Sequence, residues 1–166
     1  MLLMPQLLLR DVYGLTDDFL KEHGIRGIIF DIDNTLVGFR TPVPTAENLE
    51  LFARLQAQGI KIAVASNNNI RRVGRYAEGL EIPAYHRSCK PLGFVLAKIR
   101  RQFGLPAGQI ALVGDQIYTD MLGGNCAGMI TVLVEPIDHK ETVFFKIKRA
   151  LERPVIERRK RMEDKK

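Results

Sequence analysis

Two aspartates, Asp31 and Asp33, follow directly on the apolar run Ile28-Ile29-Phe30 and are themselves followed by Asn34 and Thr35. An unpaired charge is costly in a core. Two acids at the end of an apolar segment therefore demand a positive partner, and a divalent cation is the natural one. Four more residues of chemical interest come later: Ser66, Lys90 in Ser88-Cys89-Lys90-Pro91, Asp115 after Gly114, and Asp120. The set offers a carboxylate nucleophile, a second carboxylate for proton transfer, a hydroxyl and an ammonium for an anion, and further acids for a metal. Arg40, Asn67 and Arg87 lie near these positions in sequence and are candidates for substrate contact. His23, His86 and His139 have no partners at ligand spacing.

Such groups can act together only if the fold brings them to one place. The run ending at Asp31 reads as a strand over 27–31 buried on both faces, as in a parallel sheet. Four further strands are expected over 61–65, 82–85, 109–114 and 129–134, with helices between them. Thr16 caps a short turn, and Thr45 caps a helix with Asn48 in the capping-box position. Leu49, Phe52 and Leu55 form that helix's apolar face, and Gly59 ends it. The next helix runs through Arg71, Arg72, Val73 and Tyr76. Pro91 suits the first turn of another, whose Phe94, Val95, Ile99 and Phe103 read as apolar. A helix over 118–127 precedes the last strand. After Pro136, an amphipathic basic helix over 140–152 stops at Pro154.

Strands alternating with helices imply right-handed βαβ units. The fold class is α/β: a doubly wound three-layer sandwich with a mostly parallel five-stranded sheet. The strand ends of such a sheet converge on one edge. The expected division is an N-terminal arm over 1–24, a core over 25–136 and a basic C-terminal helix and tail over 137–166.

The net charge of +6 resides in the last stretch: residues 140–166 carry eleven Lys and Arg against five Asp and Glu, and the remainder is neutral. A basic segment of this kind meets phosphates on nucleic acid or anionic lipid, or is a solvated helix end. Two cysteines, Cys89 and Cys126, form no CxxC pair and read as reduced thiols, which implies a reducing, cytoplasmic setting. No apolar run reaches transmembrane length. The apolar start, Leu2 to Leu9, lacks the pattern of a signal peptide; it either packs on the domain or lies in a membrane interface.

With these motifs in order, Asp31-Ile32-Asp33-Asn34-Thr35, then Ser66, Lys90-Pro91, and Gly114-Asp115 with Asp120, the sequence resembles the haloacid dehalogenase (HAD) superfamily of phosphohydrolases. The likeness covers about residues 25–135. It implies that Asp31 is the nucleophile that becomes an aspartyl-phosphate, and that Asp33 is the general acid and then the base. Mg²⁺ would be held by Asp31, the backbone carbonyl of Asp33 and Asp115, with Asp120 a ligand or an orienter of the metal's waters. Ser66 would hydrogen-bond a phosphoryl oxygen, and Lys90 would offset charge between Asp31 and the phosphate. The dehalogenase branch of the family lacks the second acid, so Asp33 points to phosphate esters.

Between Asp33 and Ser66, and between Ser66 and Lys90, there is room for one helix and little else, so no cap domain is expected. Within the superfamily the likeness is to the capless subfamily IIIA. There it is to the small YqeG-type group, which includes phosphatidylglycerophosphate phosphatases. That resemblance implies a lipid phosphomonoester at an anionic bilayer surface. The arm and the basic helix, with Phe144, Phe145 and Ile147 beside Lys146, Lys148 and Arg149, would then face the lipid. A soluble small-molecule or macromolecular phosphate is the alternative substrate. A non-catalytic nucleic-acid-binding module is the alternative from another class. The sequence does not indicate an oligomeric state.

Overall fold

A computed structural model describes residues 2–138 and 143–163. Six strands form one sheet: β1 (Leu7–Leu9), β2 (Gly27–Phe30), β3 (Lys61–Ala65), β4 (Ala84–Tyr85), β5 (Ile110–Gly114) and β6 (Ile130–Val134). All neighbours are parallel and the order is β1-β6-β5-β2-β3-β4. The strand beyond the expected five is β1, supplied by the arm. Its Leu7 and Leu9 pack on one face of the sheet while Leu8 turns to the other, which accounts for the apolar start of the chain. These leucines are therefore committed to the fold and are not a free membrane anchor.

Alternating strand residues feed two separate cores. On one face Ile28 and Phe30 of β2, Ile62 and Val64 of β3, and Ala111 and Val113 of β5 meet α1 (Asp17–Glu22), α2 (Ala46–Ala57) and α3 (Ile70–Ala77). On the other, Ile29, Ala63, Ala65 and Leu112 meet α4 (Phe94–Phe103). The helix α5 (Leu122–Cys126) packs there too: a Cβ on Gly124 would meet the Thr131 Cγ2 at 2.6 Å, so the glycine sets the approach. This is the doubly wound three-layer arrangement, with no inserted cap.

Local signals act largely as expected. Thr16 accepts from the Phe19 N–H at the start of α1, and Thr45 and Asn48 form a reciprocal capping box on α2. Gly59, at φ +75°, follows α2 where only a residue tolerant of the left-handed region fits without strain.

Four expectations need correction. On α2 the buried face is Asn48, Leu51, Phe52 and Leu55 at helical spacing, and Leu49, off that stripe, is exposed. Pro91 lies before α4 rather than in its first turn, which begins at Phe94 after Gly93. Phe94 is not core but 79% exposed. Pro154 does not stop the last helix, α6 (Val143–Glu163). Its one lost backbone hydrogen bond is offset by packing on either side of it. Val155 and Ile156 pack with Leu3, Leu8, Ile117, Met121 and Leu133, Glu152 is buried, and Arg159 donates to the backbone carbonyls of Pro5 and Gln6. The arm and α6 thus cover one another. His139 and Lys140 lie outside the described residues, as do the side chains of Phe144, Phe145, Lys146, Ile147, Lys148 and Arg149.

Candidate active site

Strand order explains where the site forms. From the central β2 the chain moves outward through β3 and β4, then crosses back to place β5 on the other side of β2. The crevice at such a reversal, beyond the carboxyl ends of the strands, is where this architecture leaves space for a ligand. Register brings three strand ends level there: Phe30 lies opposite Val64 on one side and Val113 on the other. The Asp31 N–H donates to the Val113 carbonyl at 2.9 Å, extending the ladder by one residue. Asp31 and Asp115 thus leave neighbouring strands at the switch point, and Ser66 leaves the strand on the far side.

Lys90 organises one half of the site. Its Nζ lies 2.7 Å from Asp31 Oδ1 and 2.7 Å from Asp120 Oδ1, and also donates to the Ala65 carbonyl at 2.7 Å. Its side chain is only 1% exposed, so three oxygens replace the water it has lost. Burial alone would push the lysine's pKa down, but the carboxylates of Asp120 and Asp31 outweigh it and hold the ammonium well above its usual value. Burial pushes the Asp31 carboxyl up to about 7; Lys90 opposes that shift, and Asp120 and Asp33 add to it.

The lysine is positioned by its neighbours. The Lys90 N–H donates to Asn67 Oδ1 at 2.8 Å, and Asn67 Nδ2 donates to the Lys90 carbonyl at 2.9 Å. The Ser88 hydroxyl donates to the same Asn67 oxygen at 2.9 Å. Asn67, expected to touch substrate, is therefore engaged in clamping the Lys90 turn, although it also lines the cleft. On the far side a Cβ on Gly123 would stand 3.2 Å from Pro91 Cα, so α5 backs the same turn closely.

Asp33 sits in the other half. Arg72 meets its Oδ1 through Nε at 2.9 Å and Nη2 at 2.8 Å, and Asn68 Nδ2 donates to its Oδ2 at 3.1 Å. The tight turn after it is held by Asn34, at φ +67°, whose side chain accepts from the Asp138 N–H at 2.7 Å and donates to the Asp138 carbonyl at 3.2 Å. The Asp138 carboxylate in turn accepts from the Phe39 N–H at 3.1 Å.

Asp31, Asp115 and Asp120 each present a carboxylate oxygen within 4.8 Å of the others, and all three are buried. Three hard oxygen donors converging in a buried place suit Mg²⁺ or a similar cation. The Asp33 carboxylate is not part of this cluster, being engaged by Arg72 and Asn68. Gly114 makes the cluster possible, since a Cβ there would lie 2.3 Å from the Asp120 carboxylate. The π-helical turn Ile117–Met121 carries Asp120 inward. The Ile117 N–H at its start donates to the Glu152 carboxylate of α6 at 2.9 Å.

The cleft has a volume of about 430 Å³ and is lined by Asp31, Asp33, Phe39, Ser66, Asn67, Asn68, Lys90, Gln116, Thr119 and Asp120. Ser66 is buried with its hydroxyl accepting from the Asn68 N–H at 3.1 Å. Arg40 and Arg87 do not line it; both sit exposed on loops at the same edge. A cavity of about 530 Å³ between β1, β6 and α6 is more apolar and meets the site only through Asp115. Sequence reasoning missed Arg72, Asn68 and Glu152 as parts of the site. An arginine in the first turn of the helix after Ser66 was a usable signal for Arg72; nothing local marks Glu152, 35 residues from its partner.

The model of the family described as haloacid dehalogenase-like hydrolase matches residues 38–128. The chain is 35% identical over 158 residues to the probable phosphatase YqeG of Bacillus subtilis, covering 95% of this chain and 92% of that protein. The chain belongs to the haloacid dehalogenase-like hydrolases. As a HAD-like hydrolase with a phosphatase relative along almost its whole length, it is an enzyme of the phosphatase type. It is also 34% identical over 145 residues to phosphatidylglycerophosphate phosphatase 1 of Chlamydomonas reinhardtii, covering 82% of this chain but about half, 54%, of that protein. Among solved structures, the cobalt-bound deoxy-D-mannose-octulosonate 8-phosphate phosphatase of Haemophilus influenzae superposes with a TM-score of 0.58 at 16% identity, over 84% of this chain and 91% of that one. That likeness is one of fold.

Proposed function

We propose that this HAD-like phosphatase hydrolyses a phosphomonoester carried by a membrane lipid, of the phosphatidylglycerophosphate kind, using Mg²⁺ and an Asp31 phosphoenzyme. The observation that carries the reaction is the convergence of Asp31, Asp115 and Asp120 around a buried Lys90 at the switch point, with Asp33 beside it on its own support. The lipid reading rests on the curated relatives and on the open cleft. Phosphatidylglycerophosphate phosphatases of Chlamydomonas reinhardtii and Arabidopsis thaliana are 34% and 30% identical to this chain. With no cap to close over a small substrate, a large one must itself exclude water from the cleft.

Asp31, Asp115 and Asp120, with the Asp33 carbonyl, would hold the ion. When bound, Mg²⁺ offsets the repulsion between a phosphate dianion and a carboxylate. The chain's own groups account for the rest. An Asp31 oxygen attacks phosphorus and the bond from phosphorus to the leaving alcohol breaks. Asp33 donates its proton to that alcohol oxygen. Water then attacks the phosphorus of the aspartyl-phosphate, Asp33 takes its proton, and the bond to Asp31 breaks to release inorganic phosphate. Both carboxyl groups return to their starting state. Lys90 balances Asp31 and the phosphoryl charge, and Ser66 hydrogen-bonds a phosphoryl oxygen.

Turnover of phosphatidylglycerophosphate in mixed micelles, compared with a panel of soluble phosphomonoesters, tests the substrate. Preference for the lipid is expected; equal or better use of soluble esters refutes it. EDTA should stop turnover and Mg²⁺ restore it. Asp31→Asn should remove activity, and Asp33→Asn should lower kcat by about 10²–10⁴-fold, with the fold retained. Near-native rates in either variant refute the role assigned to that residue.

A further inference from the structure

The exposed bulky apolar residues are unevenly distributed. Segments 38–45, 66–72 and 86–95, the loops after β2, β3 and β4 with the first residues of α3 and α4, lie at the carboxyl edge on one side of the cleft. They carry Phe39 (39% exposed), Val43, Ile70 (65%), Leu92 (58%) and Phe94 (79%). Loops 22–26, 58–60, 78–83 and 104–109 form the opposite edge, and none of their residues is an exposed bulky hydrophobe. Scattered exposed apolar groups are ordinary, but several on consecutive segments along one side of a polar cleft mark a docking surface.

Charge identifies what docks. The three cleft-side loops contain Arg40, Arg71, Arg72, Arg87 and Lys90 and not one Asp or Glu. Arg72 and Lys90 neutralise acids of the site, whereas Arg40, Arg71 and Arg87 are exposed. The opposite edge carries Glu22, Glu78 and Glu81 against a single arginine, Arg26. Asp138, whose carboxylate accepts from the Phe39 N–H, and Glu135 stand at the same edge after β6, so the basic character belongs to the β2-β3-β4 side. There, apolar tips interleaved with exposed arginines suit an anionic bilayer, where the tips enter the acyl boundary and the cations stay among headgroups.

We infer that Phe39, Ile70, Leu92 and Phe94, with Arg40, Arg71 and Arg87, form a rim that seats the open cleft directly on an anionic membrane surface. The inference extends the lipid-substrate reading and replaces the arm as the lipid-facing element, because Leu3 and Leu8 of the arm are packed against the Val155–Ile156 face of α6, leaving Leu2 as the arm's exposed leucine. The site then needs no cap: the bilayer closes the mouth and presents the phosphate edge-on.

The test is co-sedimentation of the full chain with vesicles of phosphatidylcholine and phosphatidylglycerol in equal parts, at low salt. Soluble turnover of p-nitrophenyl phosphate is measured in parallel. The wild type should bind, and Ile70→Ser/Leu92→Ser/Phe94→Ser should bind at least about tenfold more weakly with soluble turnover unchanged. Phe94→Ser alone, at the most exposed position, should give a smaller loss in the same direction and guards against misfolding of the triple variant. Arg71→Glu should also weaken binding. Equal binding by wild type and both serine variants overturns the inference, as does a wild type that ignores the vesicles. It is equally overturned if the variants merely split a dimer and leave vesicle binding intact. Rim-dependent binding without hydrolysis of phosphatidylglycerophosphate in the same vesicles would uphold the rim and refute the lipid substrate.

Discussion

Asp31 and Asp33 are separated by one residue and are buried to nearly the same degree, yet they sit in different electrostatic settings. The cation on Asp31 is Lys90, with a side chain 1% exposed and shared with Asp120. The cation on Asp33 is Arg72, 15% exposed and reaching the Pro42 carbonyl on the surface. Lys90 cannot move without abandoning two buried carboxylates, so the Asp31 side is locked. Arg72 has a path to water and Asn68 shares its work, so the Asp33 side can rearrange. A group that makes and breaks a covalent bond at one fixed point needs the first setting; a group that gives and takes a proton as substrates exchange can use the second.

Three substitutions probe this contrast. Lys90→Met should be the most damaging, because breaking a buried pair leaves uncompensated charge worth about 3–5 kcal/mol. Urea unfolding in EDTA measures it, and a loss below about 1 kcal/mol would mean that the Asp31 side is not locked by this lysine. Gly114→Ala presses on the same side from below, driving a methyl into the Asp120 carboxylate. It should cost about 1–3 kcal/mol by overpacking, and metal affinity by calorimetry should fall about 10–100-fold. Arg72→Gln should do least. Asn68 and the glutamine amide can still donate to Asp33, so the loss of stability should stay below that of Lys90→Met, and kcat should fall by less than in Asp33→Asn. If Arg72→Gln proves as destabilising as Lys90→Met, the two halves are not different in kind.

The recognisable part of the site is the part set by strand ends. Asp31, Ser66 and Asp115 each follow an apolar run whose burial can be read from composition, and a parallel sheet aligns such ends on one edge whatever the details of packing. Lys90 comes five residues after the short, partly exposed β4 and was legible from the Lys-Pro motif instead. The supports were harder to read. Arg72 in the first turn of α3 and Asn68 just before it reach Asp33 because β3 lies beside β2, and Glu152 reaches the Ile117 N–H only because α6 packs against β6. Leu49 and Phe94 have the residue type of core positions, but each lies off its helix's buried stripe, Asn48, Leu51, Phe52 and Leu55 in α2 and Leu96, Ile99 and Phe103 in α4.

Pro154 and the arm show the same limit. A proline inside a helix is a strong local signal, yet packing around it outweighs one missing hydrogen bond. Three leucines at the start of a chain fit a helix, a strand or an anchor equally well, and only the open edge of β6 made them a strand.

Sequence alone determined the α/β class, the absence of room for a cap and the positions of the acids, hydroxyl and ammonium, because each depends on short-range patterning and on the two-faced burial of parallel strands. Tertiary structure decided which cation faces which carboxylate, that the arm completes the sheet and which bulky apolar side chains stay exposed. Those outcomes depend on contacts between residues far apart in the chain, which no local pattern encodes.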